Sequence, residues 1–371
     1  MAFSEGVTLN RIISFFEDDF ADIRCQSSWD FSGRQIYLGD HDVTKVCLAL
    51  DPSKEVIRQA IDRGCELLIT HHPLFFQPTR GINITRPLDK AAIMAIRNGL
   101  SILSYHTNLD ISIHGTNSYL LKLLGATDQG WFSPEGALEY VKLAVFVPSG
   151  HEHTVLDAID RAGGGRVGNY RRCAFSVIGT GTFTPLEGSN PFIGMKNSVE
   201  EVVEVRLEVL VPADITDYVV AAMKAAHPYE VPAFDVVSVK SPEEYGMGRI
   251  GELKKDYSYE EFIALLKRKL KIKELHTNME SRDEPVRRFA VCTGSGGGLW
   301  KDCLRHDIST YITGDLKHHD ALDARQAGIW VTDIGHFNSE KIYMNHLAGI
   351  LRERFATEVF VAQETPSILS R

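Results

Sequence analysis

Residues 65–76 read CELLITHHPLFF, a hydrophobic run that ends in two adjacent histidines, His71 and His72. The run predicts a buried β-strand, and successive side chains of a strand point to opposite faces of a sheet. At the last residue of a strand the backbone turns, so both imidazoles can face one point. Neutral imidazole is the commonest side-chain ligand for zinc and other borderline metals. The segment therefore predicts an α/β protein whose strands carry metal ligands at their ends.

The same construction occurs at two other places in the chain. They are residues 101–105, which lead into His106 and Asp110, and residues 329–333, which lead into His336 and Glu340. The last two side chains are four residues apart, which places them on one face of a helix that we expect to start near Ser339 or slightly earlier. Ligands on successive turns of a helix can share a metal.

The candidate ligands are the donors that follow these three segments. They are His71, His72, Asp110, His336 and Glu340, with His106 and His319 as further candidates. Five to seven nitrogen and oxygen donors exceed the four that one tetrahedral site needs. They suit two divalent ions bridged by a carboxylate and a water, which lie about 3.5 to 4 Å apart in hydrolytic centres.

Strands and helices alternate along most of the chain. A strand is predicted at Lys45–Asp51, a helix follows Pro52-Ser53 and stops at Gly64, and another helix is predicted at Asp89–Asn98. Such repetition indicates parallel pairing with helices on the faces of the sheet. The binding crevice of such sheets lies beyond the carboxyl ends of the strands, where the candidate ligands occur.

The alternation is interrupted once. Strands 140–147 and 202–210 alternate apolar with polar residues, and with helices at 152–162 and near 215–226 they give a βαββαβ-like order. This order predicts a ferredoxin-like α+β insert. We therefore expect three parts: residues 1–138 and 241–371 as the two halves of one metal-binding αβ domain, and residues 139–240 as the insert, since surface loops tolerate insertion.

Composition and charge exclude several classes of protein. The chain has 371 residues, a formal net charge of −9 and a pI near 5.9, which oppose non-specific binding of nucleic acid. It contains no apolar run of about 18 residues and no basic, apolar leader at its start. We expect a cytoplasmic protein that does not bind a membrane.

Four segments resemble the Nif-three-like family, the GTP cyclohydrolase 1 type 2 homologues, along nearly the whole chain. They are 69–73 (ITHHP), 106–110 (HTNLD), 313–319 (TGDLKHH) and 333–336 (DIGH) with Glu340. Residues 168–170 (GNY), 179–183 (GTGTF) and 227–230 (HPYE) are similar to the PII-like or CutA-like domain of the long bacterial members. The sequence departs from the family at Phe31 and Arg34, where members commonly have Asn and Leu.

The resemblance implies a dinuclear metal site with the five ligands His71, His72, Asp110, His336 and Glu340, and a homohexameric toroid built from trimers. Zinc is the expected ion, with iron or manganese as alternatives. The resemblance also favours His319 either as a residue that supports the metal ligands or as one that faces the substrate. His106 is predicted either to transfer protons and orient ligands or to form a structural hydrogen bond with the backbone.

A glycine-rich segment, 294–298 (GSGGG), follows a predicted strand and precedes a helix-like stretch. Gly294, Ser295 and Gly296 could bind a phosphate through backbone N–H groups, although the segment could equally be a tight turn. Two functions remain open. The first is a metal-dependent hydrolase of a purine nucleotide, similar to GTP cyclohydrolase, or of a phosphoester, with His106 and His319 as catalytic residues. The second is a metal-loaded hexameric scaffold whose insert binds a partner or ligand.

Overall fold

The computed structural model describes residues 6–168, 170–240, 244–281 and 283–366. The chain folds into two compact units. The first unit joins the residues up to Gly136 to those from Tyr245 onward, and the second unit is Ala137–Glu244. Asn169 of the predicted GNY segment and residues 241–243, where one predicted boundary falls, lie outside the described residues.

The strands and helices alternate along the chain as follows. The strands are β1 (Val7–Thr8), β2 (Gly33–Ile36), β3 (Asp42–Val43), β4 (Lys45–Ala49), β5 (Leu67–Thr70), β6 (Ser101–Ser104), β7 (Thr127–Ala137), β8 (Tyr140–Pro148), β9 (Ala174–Phe183), β10 (Glu200–Pro212), β11 (Phe234–Val239), β12 (Glu244–Tyr257), β13 (His276–Thr277), β14 (Val286–Val291), β15 (Thr310–Thr313), β16 (Trp330–Asp333) and β17 (Glu358–Val361). The helices are α1 (Leu9–Ser14), α2 (Lys54–Asp62), α3 (Pro87–Arg97), α4 (Thr107–Ile111), α5 (Thr116–Leu124), α6 (Glu152–Arg161), α7 (Thr216–Ala226), α8 (Tyr259–Leu270), α9 (Asp302–Arg305), α10 (His318–Gln326) and α11 (His336–Phe355). No helix of the described residues is long and apolar enough to cross a bilayer.

The first unit contains a five-stranded sheet in the order β17-β4-β5-β6-β2. β17, β4, β5 and β6 pair in parallel, whereas β2 pairs antiparallel with β6. Alternate residues of the sheet pack on different helices: Val46 and Leu48 contribute to a core with α11, while Cys47 and Ala49 contribute to a core with α2 and α3. Helices on both faces explain why the residues of β4 to β6 are almost all buried.

A six-stranded sheet in the same unit has the order β13-β16-β15-β14-β12-β7. β14, β15 and β16 pair in parallel, but β12 and β13 pair antiparallel with their neighbours. The fold is thus a mixed α/β fold. The predicted parallel pairing is confirmed for β4 to β6 and for β14 to β16. The antiparallel partners β2, β12 and β13 make the sheets mixed, and apolar alternation does not report the direction of a partner strand.

The predicted helices after β4 and before β6 are confirmed, with small shifts in their ends. Ser53 caps α2 by accepting a hydrogen bond from the Val56 N–H at 3.2 Å, as Pro52-Ser53 suggested. Pro87 occupies the start of α3, two residues before the predicted start. These helices fix the two strands that end at the histidines.

The second unit has one antiparallel sheet in the order β11-β8-β10-β9. Along the chain its elements follow the order β8-α6-β9-β10-α7-β11. Odd-numbered residues of β8 and β10, such as Val145 and Val209, form a core with Ile159 of α6 and Met223 of α7. The unit therefore has a hydrophobic core of its own.

The second unit leaves the first from two neighbouring strands, since β7 and β12 pair in the six-stranded sheet. A Cβ added to Gly246 would lie only 2.3 Å from the Ser133 carbonyl oxygen, so the backbones of β7 and β12 approach closely near the ends that the second unit joins. We predict that a linker of about four residues, of the length used in β-hairpins, can replace Ala137–Glu244. Circular dichroism and calorimetry should then show a folded chain with one cooperative transition. An unfolded product would contradict the independence of the first unit.

Candidate metal centre

His71 and His72 follow β5 directly. The His71 and His72 N–H groups donate to the carbonyls of Ala49 and Leu50 at 3.2 and 2.9 Å, which continues the pairing with the strand next to β5. The Thr70 hydroxyl donates to the His72 carbonyl at 2.7 Å and so folds the backbone back. The two ring centroids lie 5.1 Å apart, and the predicted convergence of the neighbouring imidazoles is observed.

β6 ends one residue before Tyr105, and the chain then enters α4, which carries Asp110. Asp110 is buried, and its Oδ1 accepts a hydrogen bond from the Thr116 hydroxyl at 2.5 Å. Its Oδ2 lies 3.6 Å from Nε2 of His71. Asp110 therefore meets a histidine from the neighbouring strand of the same sheet.

β16 of the other sheet leads into α11, whose first residue is His336. The helix starts three residues before Ser339, in line with the expectation of a start near Ser339 or earlier. Glu340 lies one turn on and is 2% exposed. Because Gly294 has φ +71° and a Cβ there would lie 2.2 Å from Glu340 Oε1, the loop after β14 needs glycine to approach this carboxylate.

Glu340 stands at the centre of the cluster. Its Oε1 lies 3.5 Å from His71 Nε2, whereas its Oε2 lies 3.3 Å from His72 Nε2 and 3.1 Å from His336 Nε2. Two groups of three side chains result, His71 with Asp110 and Glu340, and His72 with His336 and Glu340. Each oxygen of the shared carboxylate faces a different group.

Each of the three histidines is oriented by an acceptor at Nδ1. Nδ1 of His71 donates to the Tyr105 carbonyl at 3.0 Å. Nδ1 of His72 donates to Asp51 at 2.7 Å, and Nδ1 of His336 donates to Asp315 at 2.7 Å. An acceptor at Nδ1 holds the proton there and leaves the Nε2 lone pair of a neutral ring pointing into the cluster. Sequence reasoning missed Asp51 and Asp315, since neither belongs to a motif with its histidine.

Unsatisfied buried atoms test whether the cluster suits a cation. His71 Nε2 and Glu340 Oε2 are buried and have no hydrogen-bond partner of acceptable geometry among the described residues, although nitrogen atoms lie within 3.5 Å of the carboxylate. Buried polar atoms are rarely left unpaired in proteins. Imidazole and carboxylate donors converging in this way fit zinc and similar divalent ions. The residues present therefore could hold a metal.

The charges of the cluster shift one another's pKa values. Burial lowers the pKa of His72 and of His336, but the carboxylates beside them outweigh it and raise these pKa values to about 10 and about 9. Burial raises the pKa of Glu340, but the three histidines hold it well below its usual range. Burial raises the pKa of Asp110, and although the charge of His71 lowers it, burial and the charge of Glu340 together keep this pKa raised. Protons and a cation would compete for these atoms.

His106 is adjacent to the cluster and forms a pair with Asp30. Its ring lies 5.1 Å from the His71 ring and 5.4 Å from the His72 ring, and with them it forms a third group of donors. Its Nδ1 contacts Asp30 Oδ1 at 2.9 Å. Asp30 also accepts a hydrogen bond from the Thr107 hydroxyl at 2.6 Å. His106 was predicted either to transfer protons and orient ligands or to bond to the backbone. In the structure its Nδ1 contacts a carboxylate rather than a backbone carbonyl, and its Nε2 lies near the cluster.

Asp30 is a third residue that sequence reasoning missed. Burial alone would raise its pKa, but hydrogen bonds from His106 and Thr107 hold this pKa below the usual range. The segment drew attention only for Phe31 and Arg34. Phe31 donates its N–H to Asp30 at 2.8 Å, and Arg34 lies 3.9 Å from the Glu17 carboxylate. Neither side chain belongs to the three donor groups.

The remaining predicted residues lie differently. The Gly294 N–H already donates to the Ser339 hydroxyl at 2.9 Å, and Gly296 packs against Cys292, so close packing accounts for both glycines. Ser295 is exposed. His319 is exposed at the start of α10 and belongs to none of the donor groups found among the described residues. Phosphate binding at 294–296 and a catalytic role for His319 stay predictions.

A cavity of about 690 Å³ opens beside His72 and His336 within the first unit. Its charged lining consists of four carboxylates, Asp51, Glu274, Asp315 and Asp333, together with His276 and the two histidines of the cluster. No lysine or arginine occurs among its described lining residues. A ligand that enters here meets a negative surface before it reaches the cluster.

The chain has a mixed α/β fold in which histidines and carboxylates gather at strand ends. These features define a class of candidate metalloproteins, and sequence comparison identifies the family within this class. The sequence profile of the Duf34/NIF3 family (NGG1p interacting factor 3) matches residues 7–367. The chain belongs to this family, as the resemblance of its motifs predicted.

Individual relatives agree with this assignment. A Bacillus subtilis protein named GTP cyclohydrolase 1 type 2 homolog is 33% identical over 366 residues, 97% of each chain. A Halalkalibacterium halodurans protein of the same name is 38% identical over 301 residues, 81% of this chain and 80% of that protein. The crystal structure of a Bacillus cereus protein related to NIF3 superposes with a TM-score of 0.80 at 33% identity, covering 99% of this chain and 100% of that one.

We predict that Gly294→Ala destabilises the protein by about 1–3 kcal/mol, since the added Cβ would strain the backbone and press on Glu340. Gly298→Ala, in the short 3-10 helix Gly297–Lys301 that follows the loop, is the control, because a Cβ there meets nothing within 4 Å among the described residues and φ is not positive. Denaturant unfolding of both variants measures the difference. Equal stabilities would show that the loop does not depend on the carboxylate.

Proposed function

We propose that the protein is a metal-dependent hydrolase whose centre holds two divalent ions bridged by Glu340. The observation that carries the proposal is the position of this carboxylate, with Oε1 in the group of His71 and Asp110 and Oε2 in the group of His72 and His336. Zinc fits the donors best, and iron and manganese accept the same set. Divalent ions supply Lewis acidity and activate water at such a centre.

Side chains around the cluster would then transfer the proton and orient the histidine ligands. Asp30 fixes the Nδ1–H tautomer of His106, so that Nε2 can accept or return a proton beside the cluster. Asp51 and Asp315 hold the rings of His72 and His336 in place. In this proposal His106 is the proton-transfer residue, and His319 is a more distant contact for the substrate.

The substrate we propose is a purine nucleotide or a phosphoester. The relatives named GTP cyclohydrolase 1 type 2 homolog support the nucleotide. The four carboxylates in the cavity beside His72 and His336 disfavour a ligand with several negative charges. We therefore expect purine compounds or phosphodiesters of low charge to react better than GTP.

A second candidate is the metal-loaded hexameric scaffold. Exposed apolar side chains on the edge strand β9, Phe175 at 66% and Ile178 at 74% exposed, favour assembly of copies of this chain. The order β11-β8-β10-β9, with the first and third strands of the second unit in the middle, supports a ferredoxin-like, PII/CutA-like domain inserted at 139–240 into a split metal-binding domain.

Glu340→Gln should cost the protein at least one of two bound ions, because a neutral amide cannot bridge two cations. Elemental analysis after reconstitution with zinc measures the content. Glu353→Gln, an exposed position on the same helix, is the matched control and should keep both ions. Full metal content in Glu340→Gln would remove Glu340 from the ligands.

His106→Ala should lower kcat by about 10²-fold or more at unchanged metal content, the range expected for loss of a general acid–base group. The assay compares guanosine, GMP, GTP and bis(p-nitrophenyl) phosphate with metal-replete protein. His153→Ala, at an exposed histidine of the second unit, serves as the control. If no substrate reacts faster than with Glu340→Gln, the scaffold becomes the better account.

Light scattering at micromolar concentration should give the mass of a hexamer. Replacing Ile178 by Asp should dissociate it, because a charge at an apolar contact is costly to bury. Ser176→Asp adds the same charge at a polar position of β9 and tests whether charge alone acts. A monomeric wild-type protein would contradict the assembly.

A further inference from the structure

A second cavity, of about 410 Å³, lies wholly within the second unit. This volume falls in the range of about 300–1,000 Å³ found for small-molecule sites. Its walls are mainly apolar and aromatic, with Phe146, Phe183, Phe192 and Tyr229 among them. It lies on the sheet face that carries the even-numbered residues of β10, whereas α6 and α7 pack on the odd-numbered residues.

Three rings surround the cavity in tilted arrangements. The centroids of Phe183 and Tyr229 are 5.8 Å apart at 62°, and those of Phe192 and Tyr229 are 6.3 Å apart at 51°. Phe192 is 53% exposed, so the cavity has an opening on this side. Aromatic faces arranged about a cavity attract cations through their quadrupoles.

Glu204 provides a carboxylate inside these walls. It is 7% exposed, and no lysine, arginine or histidine forms an ion pair with it in the described part of the chain. The nearby cations Lys142 and Arg206 both pair with Glu208, each at 3.1 Å. Burying a carboxylate without a counter-charge is costly, so a cation from outside would relieve the site.

The surrounding residues are arranged to keep this carboxylate where it is. A Cβ on Gly181 would lie 2.1 Å from Glu204 Oε2, so the glycine makes room for it. The buried Tyr229 hydroxyl lies beside the Glu204 carboxylate, and burial together with this neighbour raises the pKa of Tyr229 to about 12.

The other acid of the lining, Glu230, has a different task. Its Oε1 accepts the Asn190 N–H at 2.9 Å and so fastens the segment that carries Phe192 over the cavity. No basic side chain occurs among the described residues of the lining. Glu204, beside the Tyr229 hydroxyl, is thus the acid that faces the cavity without an ion pair among the described residues, and an anionic ligand would be repelled.

We propose that this cavity binds a small organic cation, an ammonium or amidinium group on an apolar body, with the charge on Glu204 and the body between Phe183, Phe192 and Tyr229. The site is separate from the metal cluster of the first unit in its residues and in the ligand that it selects. It gives the second unit a binding function of its own.

Calorimetric titration of the full chain tests the proposal with three probes of similar shape, 2-phenylethylammonium, 2-phenylethanol and phenylacetate. The cation should bind at least tenfold more tightly than the alcohol, and the anion should not bind. Glu204→Gln should reduce the affinity for the cation to that for the alcohol. Asp217→Asn, at an exposed carboxylate on α7, is the control and should change nothing.

Phe192→Ala should weaken the binding of the cation and of the alcohol by similar factors. This second variant still tests the proposal if Glu204→Gln does not fold. Equal affinities of cation and alcohol, undiminished binding by Glu204→Gln, or no binding of the cation at millimolar concentration would each overturn the proposal.

Discussion

The buried carboxylate of Glu340 is the constraint on which the arrangement of the first unit depends. A carboxylate that is 2% exposed must be compensated by charge, and three histidine nitrogens from two sheets lie within 3.5 Å of it. The end of β5, the start of α11 and the glycine at 294 each follow from bringing those groups together. The two sheets thus meet at a buried carboxylate, and a cation or protons on the histidines would neutralise its charge.

The sequence was sufficient to find the cluster because its members are marked locally. Each follows an apolar run, so His71 and Glu340 could both be chosen as candidate ligands without a structure. Their origin in two different sheets could not be predicted, because the hydrophobic pattern does not say which strands share a sheet. Asp30, Asp51 and Asp315 could not be found in this way. Their roles come from hydrogen bonds to histidines 21 to 76 residues distant along the chain, which no spacing rule reports.

The strand directions show the same division between local and long-range information. Helices between β4, β5 and β6 predict their parallel pairing. The antiparallel direction of β12 and β13 cannot be predicted from the hydrophobic pattern, because it does not show how the preceding connection crosses the sheet. The glycines at 294 and 296 suggested an anion site, but glycine in a loop is equally needed where backbone approaches a side chain. Both cavities described are lined with carboxylates and without lysine or arginine among their described residues, which disfavours ligands that carry several negative charges.

The location of bound metal relative to Glu340 tests the central claim most directly. Crystals of the zinc-loaded protein, measured at and below the zinc absorption edge, would give anomalous difference peaks at each ion. The account predicts two peaks per chain, about 3.5 to 4 Å apart, one nearest Oε1 with His71 and Asp110 and the other nearest Oε2 with His72 and His336. A single peak, or two peaks that Glu340 does not join, would contradict it.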